Sequence, residues 1–151
     1  MATVFDVAAY ILQKCGPLTA MKLQKLCYYS QAWHLVWDEQ PLFQEDIEAW
    51  ANGPVVPELY RVHRGQFRVG DPTEVGGDAT ALTAEEVATI DSVLGFYGDK
   101  SAHWLSELTH REAPWRDARA AAGLADQERG RVVIEHSAMF EYYDSLTAST
   151  S

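Results

Sequence analysis

The chain has 151 residues, 47% of them hydrophobic, with five Trp, seven Tyr and five Phe, which is enough for one substantial core but hardly for two. Acidic residues outnumber basic ones 22 to 12, a formal charge of -10 whose field repels phosphate backbones at long range and disfavours generic nucleic-acid binding. No run approaches the roughly 20 apolar residues that span a bilayer, and the start, Met1 to Asp6, lacks the basic segment of a secretory signal, so a cytosolic protein with no membrane partner is expected.

In chain order, Val4, Val7, Ala8, Ile11 and Cys15 recur at three- and four-residue steps, predicting a helix after Thr3 that Gly16-Pro17 stops. Thr19 is placed to cap a second helix from Ala20 to about Trp37. Apolar groups lie all round that segment, which makes it the expected central helix. Ile47-Glu48-Ala49-Trp50-Ala51 alternates as a short strand and leads to a turn at Asn52-Gly53-Pro54. Pro57 suits the first turn of a short helix holding Leu59, Tyr60 and His63 and closing near Gly65, and the stretch from Gly70 to Ala81 reads as an exposed loop.

Thr83-Ala84-Glu85-Glu86 has the form of a capping box ahead of a helix with Val87, Ile90, Leu94 and Tyr97 on one face, ending at Gly98. Ser101 opens the next helix, which His110, Pro114 and Trp115 are expected to break before a short helical piece from Arg116 to Ala122. Val132 to Ile134 suits a strand, and Ser137 a cap for a last helix with Met139, Tyr143 and Leu146 on a shared face. The fold class is therefore mainly α (α+β). Residues 1–151 read as a single compact domain of about six helices, with a short β-ribbon pairing Ile47–Ala51 with Val132–Ile134 and a frayed tail over 146–151.

Candidate chemistry is sparse. His34, His63, His103, His110 and His136 are scattered, with no HExxH and no pair of Cys or carboxylates beside them, so neither a metal nor another cofactor is expected. Cys15 and Cys27 lack CxxC spacing and read as buried core thiols. Ser30 and His34 share a helix face, which keeps a small hydrolase using His34 or His110 as an alternative from another class, but no strained nucleophile elbow accompanies them. Gly76-Gly77 lacks the Lys and Ser/Thr of a phosphate loop. Arg61, Arg64 and Arg68 form a small cationic ridge beside Tyr60 and Phe67, suited to nucleic acid, to an acidic partner or to pairing with local carboxylates.

Two long strings are distinctive: Met21 to His34 (MKLQKLCYYSQAWH), and Ile47 to Tyr60 (IEAWANGPVVPELY), with Pro41-Leu42-Phe43 between them. Together with Leu105 to Glu112 and Pro114-Trp115, they resemble the Panacea domain family, whose members include GepA-like phage-associated proteins and SocA-like antitoxins. The resemblance runs from about residue 5 to 146. It implies an antitoxin that neutralises a cognate toxin, encoded by an adjacent gene, through direct protein contact. In the SocA-like branch it also implies an adaptor that hands the toxin to a cytosolic protease. Self-association stays open. For the partner-facing patch, Trp50, Asn52 and Tyr60 near the Gly53-Pro54 turn are expected to combine with an exposed side of the helix carrying Tyr28 and Gln31.

Overall fold

The structure, a computed structural model, describes residues 2–148. Thr3 and Asp6 close a reciprocal cap that opens α1 (Val4–Cys15), and Gly16, at φ 76, ends it. After β1 (Leu18–Thr19), the Thr19 hydroxyl accepts from the Lys22 amide and starts α2 (Ala20–Asp38). An extended segment leads to β2 (Glu48–Trp50) and β3 (Gly53–Val55), then α3 (Pro57–His63) and β4 (Arg68–Val69). The remaining elements are α4 (Ala84–Tyr97), α5 (Ala102–Arg111), α6 (Ala113–Ala121), β5 (Val132–Val133) and α7 (His136–Ala148).

Helix α2 is the axis of the domain, with α1, α4, α5 and α7 packed around it. That arrangement accounts for its lack of a polar face: Leu23, Leu26, Cys27, Tyr29 and Ala32 are all fully buried. Tyr29 stacks on Tyr97 of α4 at 4.1 Å and 11°, and meets Tyr143 of α7 edge-on at 6.0 Å. The expected ribbon forms: β2 pairs antiparallel with β5, Glu48 opposite Val133 and Ala49 opposite Val132. Its other edge takes β3, with Trp50 opposite Gly53, and β1 pairs separately with β4.

Several expectations shift. The loop from Gly70 to Ala81 contains two 3-10 turns, Pro72–Glu74 and Ala79–Ala81, each capped by an aspartate. It is seated on α1: Val75 is buried, and the Asp78 amide donates to Asp6 at 2.9 Å. The expected break after the Ser101 helix is present, with α5 ending at Arg111 and Glu112 extended, but Pro114 and Trp115 occupy the first turn of α6, which starts at Ala113 rather than Arg116 and where proline needs no amide partner. Cys27 is a core thiol, but Cys15 is exposed, because it lies in the last turn of α1 beyond the buried residues. Leu146 is 36% exposed rather than sharing the inner face of Met139 and Tyr143. Residues 146–148, expected in a frayed tail, belong to α7, and 149–151 lie outside the described residues.

Candidate partner-binding site

The polar residues of α2 show how the site is built. Gln24 Oε1 accepts from the Val56 amide at 2.8 Å, while its Nε2 donates to the Val56 carbonyl at 3.3 Å and to His63 Nε2 at 2.9 Å. Because that amide nitrogen can only donate, His63 accepts and is neutral, in keeping with burial, which pushes its pKa down. Seven residues on, Gln31 repeats the device: Oε1 accepts from Leu42 and Phe43, and Nε2 donates to the Phe43 carbonyl at 2.8 Å. Each glutamine acts as a short strand edge for an extended segment that has no neighbouring strand there.

This corrects the expected patch. Tyr28 and Gln31 are buried, Gln31 among those backbone groups and Tyr28 with its hydroxyl 3.0 Å from that of Tyr143. Neither offers surface, because α2 is covered on that side by α7 and by the chain at Leu42-Phe43. Beneath them lies a buried carboxyl at the junction of α5 and α6. Glu112 Oε1 accepts from both Tyr29 and Tyr143, at 2.7 Å each. Burial pushes the Glu112 pKa up, against the two tyrosine hydrogen bonds, which lower it.

The hairpin of β2 and β3 is held from outside. Ala51 and Asn52 form its loop, yet neither has the positive φ that favoured two-residue hairpin turns use; the positive φ, 119°, falls on Gly53. Side chains from three helices bind the carbonyls around this turn. Arg119 donates to Ala49 at 2.9 Å, Trp115 Nε1 to Trp50 at 2.7 Å, Ser106 to Asn52 at 3.2 Å, and Lys25 to Pro54 at 3.3 Å. His110 Nε2 contacts the Ala51 carbonyl at 3.1 Å, and its Nδ1 contacts that of Ser106 at 2.6 Å. The string from Leu105 to Trp115 is thus the clamp for the string from Ile47 to Tyr60. Arg119 also donates to the Ala125 and Glu128 carbonyls and lies over the Trp115 ring, fixing the segment that leads to β5.

Among the described residues, no group of His, Cys, Asp and Glu could hold a metal ion. The Ser30 and His34 pair is not assembled: Ser30 donates to the Leu26 carbonyl at 2.8 Å, and His34 bonds Gln40 and Asp38 at the end of α2. His110 has both ring nitrogens committed to carbonyls.

What the clamp presents is a groove of about 830 Å³ between the start of α2, α3 and the hairpin. Three of the expected residues, Trp50, Asn52 and Tyr60, line it. Trp50 meets Tyr60 edge-on at 5.0 Å, and Tyr60 meets His63 at 5.5 Å. Sequence reasoning did not assign Met21, Phe67, Arg129 or Arg131 to this site. Phe67 is 79% exposed, although its backbone is fixed by the β1–β4 pair and by the Ala20 amide, which donates to the Phe67 carbonyl at 2.9 Å. The signal available for it was its place beside Arg68 and Tyr60 in the cationic ridge.

Residues 23–116 match the family described as antitoxin SocA-like, Panacea domain. The chain belongs to that family. Neither a curated protein nor a solved structure matches it. For a Panacea domain the match means an antitoxin-like chain, a toxin as the general kind of partner, and a role for which the family indicates no enzymatic step. The matched span starts within α2 and ends in α6, so it contains the clamp residues from Lys25 to Trp115 and the groove residues from Gln24 to Phe67. Arg119, Arg129 and Arg131 lie beyond it. Among the described residues, no helix is long and apolar enough to cross a membrane.

Proposed function

We propose that this Panacea domain is the antitoxin of a toxin–antitoxin pair, that it works in the cytoplasm, and that it neutralises a cognate protein toxin by direct contact at the groove of Trp50, Asn52, Tyr60 and Phe67. The observation that carries the reading is the exposure of Phe67 on a backbone held rigid, beside aromatic walls that the clamp fixes in place. A ring displayed on a hydrogen-bonded backbone beside the rings of Trp50 and Tyr60 extends one apolar surface, and preorganised aromatic anchors are the usual centres of protein interfaces.

Co-expression with the product of the adjacent gene tests it. The wild-type domain restores growth and co-purifies with the toxin; Phe67→Asp and Asn52→Lys, both at exposed positions, abolish both effects while the thermal melt stays within about 2 °C of wild type. Retained rescue in both variants would remove the groove from the account. Neutralisation by contact also predicts that toxin abundance is unchanged when the antitoxin is present. A toxin level that falls in cells with an active cytosolic protease, and recovers without it, would instead assign the adaptor mechanism.

A further inference from the structure

The charges around the groove run against those of the whole chain. Acidic residues outnumber basic ones 22 to 12 over the sequence, yet the groove lining contains Arg129 and Arg131 and no aspartate or glutamate. Arg131 spends its Nε on Glu48 at 3.0 Å and places its guanidinium over the Trp50 ring at 5.9 Å, with 65% of the side chain still exposed. Glu48 is itself held by Trp50 Nε1 at 2.8 Å, so this carboxylate is committed to Trp50 and Arg131 and is not part of the groove lining. Arg64 and Arg68, both exposed, flank the lining residues Gly65, Gln66 and Phe67 in the chain. His63 in the lining is neutral, for the reason given above.

We propose that the groove selects an acidic peptide segment of its partner, one in which an aromatic or large aliphatic side chain seats against Trp50, Tyr60 and Phe67 while flanking carboxylates meet Arg129 and Arg131. This rests on the reading of the groove as the partner face and adds the chemistry of what enters it. Arginine is suited to the task because its planar fork takes a carboxylate in two parallel bonds and stacks on aromatic faces. The charge of the rest of the molecule then works by exclusion: a basic segment is drawn to the acidic surface elsewhere and repelled at the groove. Single-stranded nucleic acid shares the taste for arginine and aromatic rings, but the net charge of -10 opposes a chain with a charge on every nucleotide far more than a peptide segment with a few carboxylates.

The test pans a random displayed-peptide library on the full chain, on Arg129→Glu, on Arg129→Glu/Arg131→Glu and on Phe67→Asp. The proposal expects enriched peptides with Asp or Glu beside a Trp, Phe or Leu, roughly tenfold weaker binding of those peptides to the double variant, and their loss on Phe67→Asp. Arg129→Glu alone, at an exposed position, carries the same sign if the double variant melts early. Enrichment without acidic bias, no enrichment, or a fluorescent single-stranded oligonucleotide binding where the acidic peptides do not, each overturns it. Toxin rescue separates the two readings: rescue lost on Phe67→Asp but kept on arginine reversal leaves the groove as the partner face and discards the acidic segment. Rescue kept by every variant discards both.

Discussion

Lys25 is fully buried, and its Nζ lies 3.3 Å from the Pro54 carbonyl and 3.8 Å from the Met21 sulfur. Burial lowers its pKa from 10.5 to about 8. The folded state therefore gives up this proton before the unfolded chain does. Between about pH 8 and the ordinary lysine value the unfolded chain binds more protons, so stability rises with pH across that window, and below it the full cost of the buried cation applies. At 1.36 kcal/mol for each pH unit, the cost is about 3 kcal/mol. Lys25→Met keeps the length of the stem and removes the charge; losing the bond to Pro54 offsets about 1 kcal/mol of the gain. The variant should be more stable than wild type by about 2 kcal/mol at neutral pH, a rise in Tm of roughly 4–8 °C. Urea unfolding of both proteins from about pH 6 to pH 10 checks this, the gap between them narrowing above about pH 8. A variant less stable by more than about 1 kcal/mol at neutral pH, with a gap that does not change with pH, would show that the amine holds the hairpin more strongly than its desolvation opposes the fold.

Glu112 supplies a second pH effect. Its folded pKa is raised by burial, so the stability it contributes is complete below the ordinary carboxylate range and is lost as pH rises through the elevated value. Glu112→Gln keeps an acceptor for Tyr29 and Tyr143 and cannot ionise; its advantage over wild type in thermal melts should grow from about pH 4 to neutral, and an advantage that shrinks would contradict the assignment. Gly53→Ala places a methyl 2.6 Å from Lys25 Cε at a backbone φ of +119°, and should cost about 2–4 kcal/mol in chemical unfolding, against about 1–2 kcal/mol for Gly65→Ser at the edge of the groove, where the space is open and only the φ of +84° is strained for a side chain. Gln31→Leu strips the Leu42 and Phe43 backbone of its partners and should cost about 3 kcal/mol or more; a stable variant that only loses toxin rescue would return Gln31 to the partner surface.

Four helix starts were legible because caps are local: Thr3, Thr19, Thr83 and Ser101 each accept from the amide three residues ahead, and the residues that signal this are adjacent in the chain. Ser137, expected to cap the last helix, instead lies inside α7, which starts at His136. The pairing of β2 with β5 was legible from two short alternating or β-branched runs. The orientation of α2 was not. On a helix apolar all round, nothing in the spacing says which polar residue faces outward, and Gln31 looks the same in sequence whether it binds a partner or the Phe43 backbone 12 residues away. The clamp was also hidden, since it joins carbonyls of Ala49 to Asn52 to side chains more than 50 residues on, and carbonyls leave no mark in a sequence. Tyr60 and Trp50 were expected near the Gly53-Pro54 turn, and both line the groove. Phe67 was seen only as company for arginines, as exposure of an aromatic ring depends on which neighbours fail to cover it.

The groove as the toxin-facing surface is the claim on which most depends. A photoreactive phenylalanine analogue placed at position 67, with position 96 as a control, tests it most directly, because Phe96 is also well exposed, at 61%, but lies on α4 and does not line the groove. Irradiating the complex with the neighbouring gene's product should give a covalent antitoxin–toxin species from position 67 and none from position 96. The reverse pattern would contradict the account.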